Sequence, residues 1–223
     1  MPSGASFRRG LRDGTPIFVA VGALGIAFGV LALEAGLAGW VALLASVVVV
    51  SGAAQFALVG LAGAGVVPIL VATTGLALRH IPMSARMAQL VGERRRRVRL
   101  AVAWVLVDET FGLTLAAARR GEGDLVAYKA GADLLLYSGW VSGTATGVLL
   151  GDRVDPSAWG AEVFFALLFL GLAAPLIRRW WDALVAVLAV AAMIVAADLL
   201  PAAWQIIGAA AVAAGIGAVL PDG

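Results

Sequence analysis

The sequence predicts an all-α protein, a polytopic helical bundle that crosses a membrane with about seven to eight helices. Composition and patterning predict this class. Of the 223 residues, 62% are hydrophobic and only 13% are charged, and the mean hydropathy is +0.99. A soluble domain has roughly 45–50% apolar and roughly 25% charged residues. The apolar runs are also long and lack the alternating pattern of a transmembrane barrel.

About eight apolar segments have the length of a membrane span, which needs roughly 20 apolar residues. The loops between them are short, so residues 1–223 are expected to form one integral membrane domain. We expect some spans to be broken or re-entrant, and an internal inverted repeat would be compatible with this number of spans. The predicted spans are residues 15–34, 39–62, 66–90, 98–118, 129–150, 160–177, 182–199 and 203–220.

Basic side chains concentrate at segment ends, which indicates membrane topology rather than nucleic-acid binding. They favour a multi-pass protein of the inner (plasma) membrane with a cytoplasmic N-terminus, and Lys129 belongs to this signal. The N-terminal stretch lacks the short apolar core and cleavage site of a signal peptide. The densest cluster, residues 94–97 with Arg99, falls outside in an eight-span alternation. We therefore expect a re-entrant segment near it or a different number of spans.

Glycines recur at four-residue spacing in two predicted spans. Small residues at this spacing let helix backbones approach closely in lipid. We therefore expect a helix-packing role rather than a role in substrate binding. These residues are Gly25 and Gly29 in the first span, and Gly139, Gly143, Gly147 and Gly151 in the fifth and at its end.

The stretch LALRHIPMSAR, residues 76–86, places polar residues and a proline in the third span. Pro82 lacks an N–H and collides with the carbonyl of Leu78, so the helix is expected to break there. Arg79 and His80 lie in that turn, and ionisable side chains inside a membrane normally face a cavity or a partner. His80 is either a hydrogen-bonded structural residue or a group that exchanges protons near neutral pH.

Asp108 and Glu109 lie halfway along the fourth span. Adjacent residues point about 100° apart on a helix. One carboxylate is therefore expected to be the counter-ion of Arg79 or His80, and the other to face a cavity and titrate. The alternative is an ion pair that only holds spans three and four together. Ionisable groups at this depth cost roughly 2.5–3.5 kcal/mol each and are usually functional, which favours transport.

A second polar site interrupts the middle of the second span. Ser51, Gly52 and Gln55 loosen the helix just before Phe56. The N-terminus of a half-helix attracts anions such as a substrate carboxylate. Gln55 adds hydrogen-bond donors and acceptors, and the alternative for it is an amide hydrogen bond between helices.

The chain shows no enzyme signature: no Gly-rich phosphate loop, no Gly-x-Ser-x-Gly turn and no His/Glu metal helix. It has no cysteine and one histidine, so neither a Cys nor a His cluster for a metal is expected, and no cofactor is implied. Polar residues in broken helices fit a secondary transporter. A channel, an exporter of another small solute and a non-transporting scaffold subunit are the alternatives.

The order and spacing of the polar stretches resemble the AzlC/YgaZ family, the large subunits of branched-chain amino acid exporters. The resemblance covers about residues 10–180, with departures at Ala54, Ala77 and Pro82-Met83. The matching stretches are RDGTPI (12–17), GIAFGVLALEAGL (25–37), SGAAQFALVGL (51–61), LRHIPMSAR (78–86), VDETFGLT (107–114) and the region of residues 137–147.

The resemblance implies proton-coupled export of valine, leucine, isoleucine and, as an extension, methionine. It also implies a small membrane partner subunit of the AzlD/YgaH type. The positions that match the family's polar pattern are Gly29, Gln55, Phe56, Arg79, His80, Asp108, Glu109, Thr110 and Phe111.

Together these inferences predict a pocket for an aliphatic amino acid. Asp108 or Glu109 would face the ammonium or carry the coupling proton, the broken backbone at 51–56 would receive the carboxylate, and aromatic rings would contact the side chain. The predicted substrate-binding residues are Ser51, Gly52, Gln55, Phe56, Asp108, Glu109, Thr110 and Phe111. Those predicted for proton coupling or ion pairing are Arg79, His80, Asp108 and Glu109.

Overall fold

The computed structural model describes residues 3–153, 177, 179–200, 205, 208, 211, 212, 215 and 216. The regular elements of this part are all helical, as predicted. They are α1 (Ser3–Glu34), α2 (Gly39–Val48), α3 (Gly52–Gly60), α4 (Val66–Ala77), α5 (His80–Val91), α6 (Arg96–Trp104), α7 (Asp108–Arg119), α8 (Leu125–Leu150), a 3₁₀ turn (Gly151–Arg153) and α9 (Trp180–Leu199). The spans predicted at 160–177 and 203–220 lie outside the described residues, apart from isolated positions.

Three segments of the described chain are long and apolar enough to cross a membrane. They are Gly4–Glu34, Val66–Val91 and Trp180–Leu199. The total of seven to eight spans and the inverted repeat stay predictions. The described helices fall into two compact units. One has α1, α2, α5–α8 and all but the last residue of α3, and the other has α9 and all but the last residue of α4. The single-domain organisation also stays a prediction.

The parallel pair α1 and α8 forms the centre of the first unit. Its backbones touch because glycines face each other across the contact. A Cβ placed on Gly143 would overlap the carbonyl oxygen of Gly22, and one on Gly147 would overlap that of Ile26. This close approach is the packing that four-residue glycine spacing predicts.

The two glycines predicted on α1 pack against the same stretch of α8. A Cβ on Gly25 would lie 2.6 Å from the carbonyl oxygen of Trp140, and one on Gly29 would lie 2.5 Å from that of Thr144. A Cβ on Gly139 would likewise lie 2.7 Å from the carbonyl oxygen of Phe18. Replacing any of these residues would force the two backbones apart.

Gly151 does not belong to this contact, contrary to the prediction. Helix α8 ends at Leu150, and Gly151 follows it with φ +49° as the C-cap. A Cβ there would make only an ordinary contact, 3.8 Å from Leu33. The spacing pattern continued past the helix end, where glycine instead serves the left-handed turn.

Three of the predicted spans are broken into shorter helices. The second breaks at residues 49–51, the third at 78–79 and the fourth at 105–107. The break at 78–79 lies where Pro82 was predicted to cause it. Proline is tolerated in the first turn of a helix but not in its interior, so a new helix begins at His80 and Pro82 lies in its first turn. The fourth span was predicted as one helix over 98–118. Acidic residues in the first turn of α7 favour a helix start at that point.

The first helix begins earlier than predicted, at Ser3 rather than at residue 15. Contacts with the α7–α8 loop hold this extension. Both carboxylate oxygens of Glu122 accept from Arg9, at 2.6 and 2.7 Å, and one also accepts from the Ser6 hydroxyl at 2.7 Å. Asp13 likewise accepts from Tyr128 at 2.6 Å and from Arg120 at 3.0 Å.

The Glu122 contact gives this end of the protein a pH dependence. Hydrogen bonds from Arg9 and from Ser6 lower the pKa of Glu122 from 4.5 to about 2. A carboxyl whose pKa is lower when folded stabilises the fold above pH 4.5 and loses that contribution as the pH falls towards 2. We expect the melting temperature in detergent to fall over this range, and to fall less in Glu122→Gln.

The exposed Glu34 provides the control, because Glu34→Gln changes a carboxylate to an amide away from this contact. That variant should keep the wild-type pH profile. A Glu122→Gln profile with the full wild-type slope would contradict the assignment.

Candidate functional site

The break between α4 and α5 faces the break between α6 and α7 through an ion pair. Arg79 lies in the α4–α5 break and donates to Asp108 at 2.9 Å, and each of the two side chains is about one-third exposed. Asp108 is thus the counter-ion that the sequence suggested for Arg79. The Nε of Arg79 is buried and has no hydrogen-bond partner among the described residues. A buried donor without a partner is costly, so this atom is suited to a ligand acceptor.

Glu109 lies beside this pair at the N-terminus of α7. Asp108 and Glu109 are the two acidic residues of its first turn, where the positive end of the helix dipole stabilises carboxylates. Within the described residues Glu109 has no salt-bridge partner within 4.0 Å, and its side chain is half-buried. The two carboxylates therefore have different environments, one paired and one not.

His80 begins α5 next to Arg79. Its Nδ1 lies 3.0 Å from the carbonyl oxygen of Ala77, in the last turn of α4. This is the contact of a histidine that stabilises the break, and it leaves the other ring nitrogen for a further interaction. A role in proton exchange stays a prediction.

Lys129 and Asp133 form a second ion pair that the sequence reading missed. The Lys129 side chain is 1% exposed, and its Nζ donates to both oxygens of Asp133 at 2.7 Å. It also donates to the carbonyl of Val105 at 2.5 Å and to the Thr110 hydroxyl at 3.4 Å. Val105 lies in the α6–α7 break, so the lysine satisfies a carbonyl that the break leaves open.

Lys129 was assigned to the positively charged membrane edge because it stands at the start of a predicted span. The four-residue spacing of Lys129 and Asp133 could have predicted the ion pair, since residues at this spacing meet on one helix face. We call Arg79, Asp108, Glu109, Lys129 and Asp133 the charged cluster. Thr110, fully buried, lies between its two ion pairs in sequence and contacts the second.

A separate group of neutral polar side chains holds the α2–α3 break against α8. Gln55 is 2% exposed, and its Oε1 accepts from Ser46 at 3.1 Å and from Trp140 Nε1 at 3.2 Å. Its Nε2 donates to the carbonyl of Val49 and, at 3.4 Å, to that of Ala45. All four hydrogen-bonding positions of the amide are thereby used. Gln55 makes the interhelical amide contacts that were the alternative to substrate binding.

The rings around Gln55 form a compact aromatic group. Phe56 lies edge-on to Phe28 and to Trp140, with centroid distances of 5.7 and 5.9 Å. Gly52 faces the Trp140 ring, and a Cβ there would lie 2.9 Å from it. Ser51 donates its backbone N–H to the carbonyl of Val49 at 2.8 Å in the break itself. Ser51, Gly52, Gln55 and Phe56 thus all lie at the α2–α3 break, where the sequence predicted a polar site.

Phe111 lies apart from that aromatic group. It packs beside the charged cluster, against an apolar core formed by Met83, Met87, Val91 and Leu106. The predicted site residues thus fall into two groups, one at the α2–α3 break and one at the α6–α7 break. Helix α8 contributes to both, because Asp133 and Trp140 lie seven residues apart on nearly the same face, about 10 Å along the axis.

In the part of the chain that the structure describes, no group of three or more His, Cys, Asp or Glu side chains could hold a metal ion. Carboxylates, an arginine and a buried lysine can instead bind charged groups and exchange protons. An aromatic ring and an apolar core lie next to them. This combination suits a small zwitterion with an apolar side chain.

Comparison with known proteins identifies the family. The sequence profile described as AzlC protein matches residues 16–154. An uncharacterized membrane protein of Archaeoglobus fulgidus is 36% identical over 174 residues, which are 77% of this chain and 76% of that protein. The inner membrane protein YgaZ of Escherichia coli K12 is 27% identical over 155 residues, 68% of this chain and 63% of YgaZ. No solved structure matches. The chain is therefore a membrane protein that belongs to the AzlC family.

Proposed function

We propose that this chain is the large permease subunit of a secondary transporter that exports branched-chain amino acids in exchange for protons. Its substrates would be valine, leucine and isoleucine, with methionine as an extension. A small AzlD/YgaH-type membrane subunit would complete the transporter in the inner membrane, with the N-terminus of this chain in the cytoplasm. Transport rather than catalysis is proposed because the polar residues lie at helix breaks, the usual substrate sites of such transporters.

The charged cluster is the observation that carries this proposal. Ion pairs and an unpaired carboxylate at membrane depth are costly and usually functional. The substrate ammonium would bind Glu109 or Asp108, and Glu109 would carry the coupling proton because it has no salt-bridge partner among the described residues. The Nε–H of Arg79, which has no hydrogen-bond partner among the described residues, would donate to the substrate carboxylate. The two charges of a zwitterion lie close together, and the Arg79 guanidinium likewise lies close to the carboxylate of Asp108.

The side chain of the substrate would lie against Phe111 and the apolar core beside it. The aromatic group at Phe56 would form a second apolar surface, and the α3 N-terminus stays a second candidate for the carboxylate. Gln55 would support the break rather than contact the substrate, since its four hydrogen bonds are already made.

The test is flux of labelled amino acids in proteoliposomes that contain this chain, with and without the small subunit. The proposal predicts that an imposed proton gradient accelerates transport of valine, leucine and isoleucine, and that lysine and glutamate are not transported. Conductance that ignores the gradient would indicate a channel. Absence both of flux and of thermal stabilisation by leucine would indicate a scaffold subunit. Either result would overturn the proposal.

A further inference from the structure

Five arginines stand directly after a candidate membrane span. Residues 94–97 and Arg99 follow Val66–Val91 along the chain, with Glu93 as the only acidic neighbour. All five side chains are exposed, and within the described residues none of them forms a salt bridge. The end of a membrane span is the level at which lipid phosphates lie. The charge is thus uncompensated at a depth where anions are available.

An apolar groove opens beside these arginines, between α5 and α6. Its volume is about 640 Å³, and its walls include Met87 and Val91 from α5 and Leu100 and Val102 from α6. Such a volume is in the range of small-ligand pockets, roughly 300–1,000 Å³. The groove is therefore large enough to take an apolar chain.

The groove has a cationic rim. Arg94, Arg96 and Arg99 line it together with the apolar residues. Arg96 and Arg99 are three residues apart in α6, so their side chains lie on the same helix face. Guanidinium groups bind phosphate oxygens with paired hydrogen bonds, which a single ammonium cannot do. The rim is thus suited to a phosphate group whose apolar tail enters the groove.

The position of these arginines within α6 adds a second argument. The first turn of α6 contains no acidic residue and carries Arg96, Arg97 and Arg99. Cations near a helix N-terminus are destabilising, because the helix dipole is positive there. A bound anion would offset this cost. The first turn of α6 itself has no acidic residue that could do so.

We infer that the α5–α6 groove binds one anionic phospholipid, with its phosphate on Arg96 and Arg99 and an acyl chain along Met87, Val91 and Leu100. The occupant is a lipid rather than a free phosphate because the groove beside the rim is apolar and adjoins a membrane span. This site contains no residue of the charged cluster, but it shares Met87 and Val91 with the apolar core proposed to contact the substrate side chain. Leucine is therefore included as a competitor in the test.

The experiment measures lipid retention by native mass spectrometry of the full-length chain purified in detergent. Phosphatidylglycerol, phosphatidylcholine or inorganic phosphate is added in separate arms, each with and without leucine. We expect one retained phosphatidylglycerol per chain and a raised melting temperature with this lipid alone. R94Q/R96Q/R99Q should retain it at least about tenfold more weakly, as the loss of charge-assisted hydrogen bonds implies.

Two further variants keep the test decisive. R8Q/R12Q/R119Q removes three exposed arginines elsewhere and should retain the lipid as the wild type does. Leu100 is 58% exposed, so Leu100→Glu should fold while its carboxylate competes for the rim arginines. If the rim variants fail to fold, retention by Leu100→Glu decides between the outcomes.

Several results would overturn the inference. They are equal retention of the two lipids, wild-type retention by Leu100→Glu, and stabilisation by inorganic phosphate equal to that by the lipid. Displacement of the lipid by leucine would assign the groove to the transported substrate instead, and would equally overturn it.

Discussion

Gly143→Ala is expected to destabilise the protein strongly, although alanine is the better helix former. The added methyl would overlap the carbonyl oxygen of Gly22, and a backbone carbonyl cannot move aside as a flexible side chain can. Overpacking of this kind costs about 1–3 kcal/mol in unfolding free energy, and separation of α1 from α8 would place it at the upper end. The measurement is the unfolding free energy in mixed micelles.

Gly112→Ala provides the matched control. Gly112 also lies inside a helix, α7, but a Cβ there would meet nothing within 4 Å. Both substitutions gain about 1 kcal/mol of helix propensity, so the difference between them isolates the cost of the contact. Equal stability of the two variants would show that α1 and α8 do not approach each other as described.

Asp133→Asn is expected to be the most damaging change in the charged cluster. It leaves the Lys129 ammonium, 1% exposed, without its counter-ion. Removing one partner of a buried ion pair costs about 3–5 kcal/mol, because the remaining charge stays buried. The remaining partners of Lys129 are the Val105 carbonyl and the Thr110 hydroxyl, which are neutral. Unfolding in detergent measures the loss.

The double variant Lys129→Met/Asp133→Asn tests the cause. With both charges gone, the buried charge disappears and most of the stability should return. Asp198→Asn makes the same chemical change at an exposed position of α9 and should have no effect. A double variant as unstable as Asp133→Asn alone would mean that size and shape, not charge, matter at this position.

Local chemistry explains which parts of the fold could be predicted from sequence. Pro82 marks the break at residues 78–79, and Arg79, inside an apolar span, needed a carboxylate, which Asp108 supplies. The glycine spacing on α8 gave the α1 contact because backbone approach depends on the absence of Cβ atoms and little else. These are effects of single residues on their own turn or face.

The parts that could not be predicted depend on long-range contacts. Lys129 looks like a residue of the membrane edge until Val105, 24 positions earlier, is placed beside it. A glutamine at position 55 is compatible with substrate binding and with stabilising a helix break. Only the contacts with Ser46 and Trp140 show that it stabilises the break. The roles of Asp108 and Glu109 in substrate binding and proton coupling stay predictions, since geometry places them without testing what they bind.

The most direct test of the central claim is proton-driven flux of labelled leucine in proteoliposomes with Asp108→Asn or Glu109→Gln. The small partner subunit is present throughout, and Glu34→Gln, which alters an exposed carboxylate of α1, is the control. The account predicts wild-type flux for Glu34→Gln. It predicts that flux in Glu109→Gln no longer responds to the proton gradient and that Asp108→Asn falls to the level of empty vesicles. Wild-type leucine flux in both cluster variants would contradict the assignment of the charged cluster as the transport site.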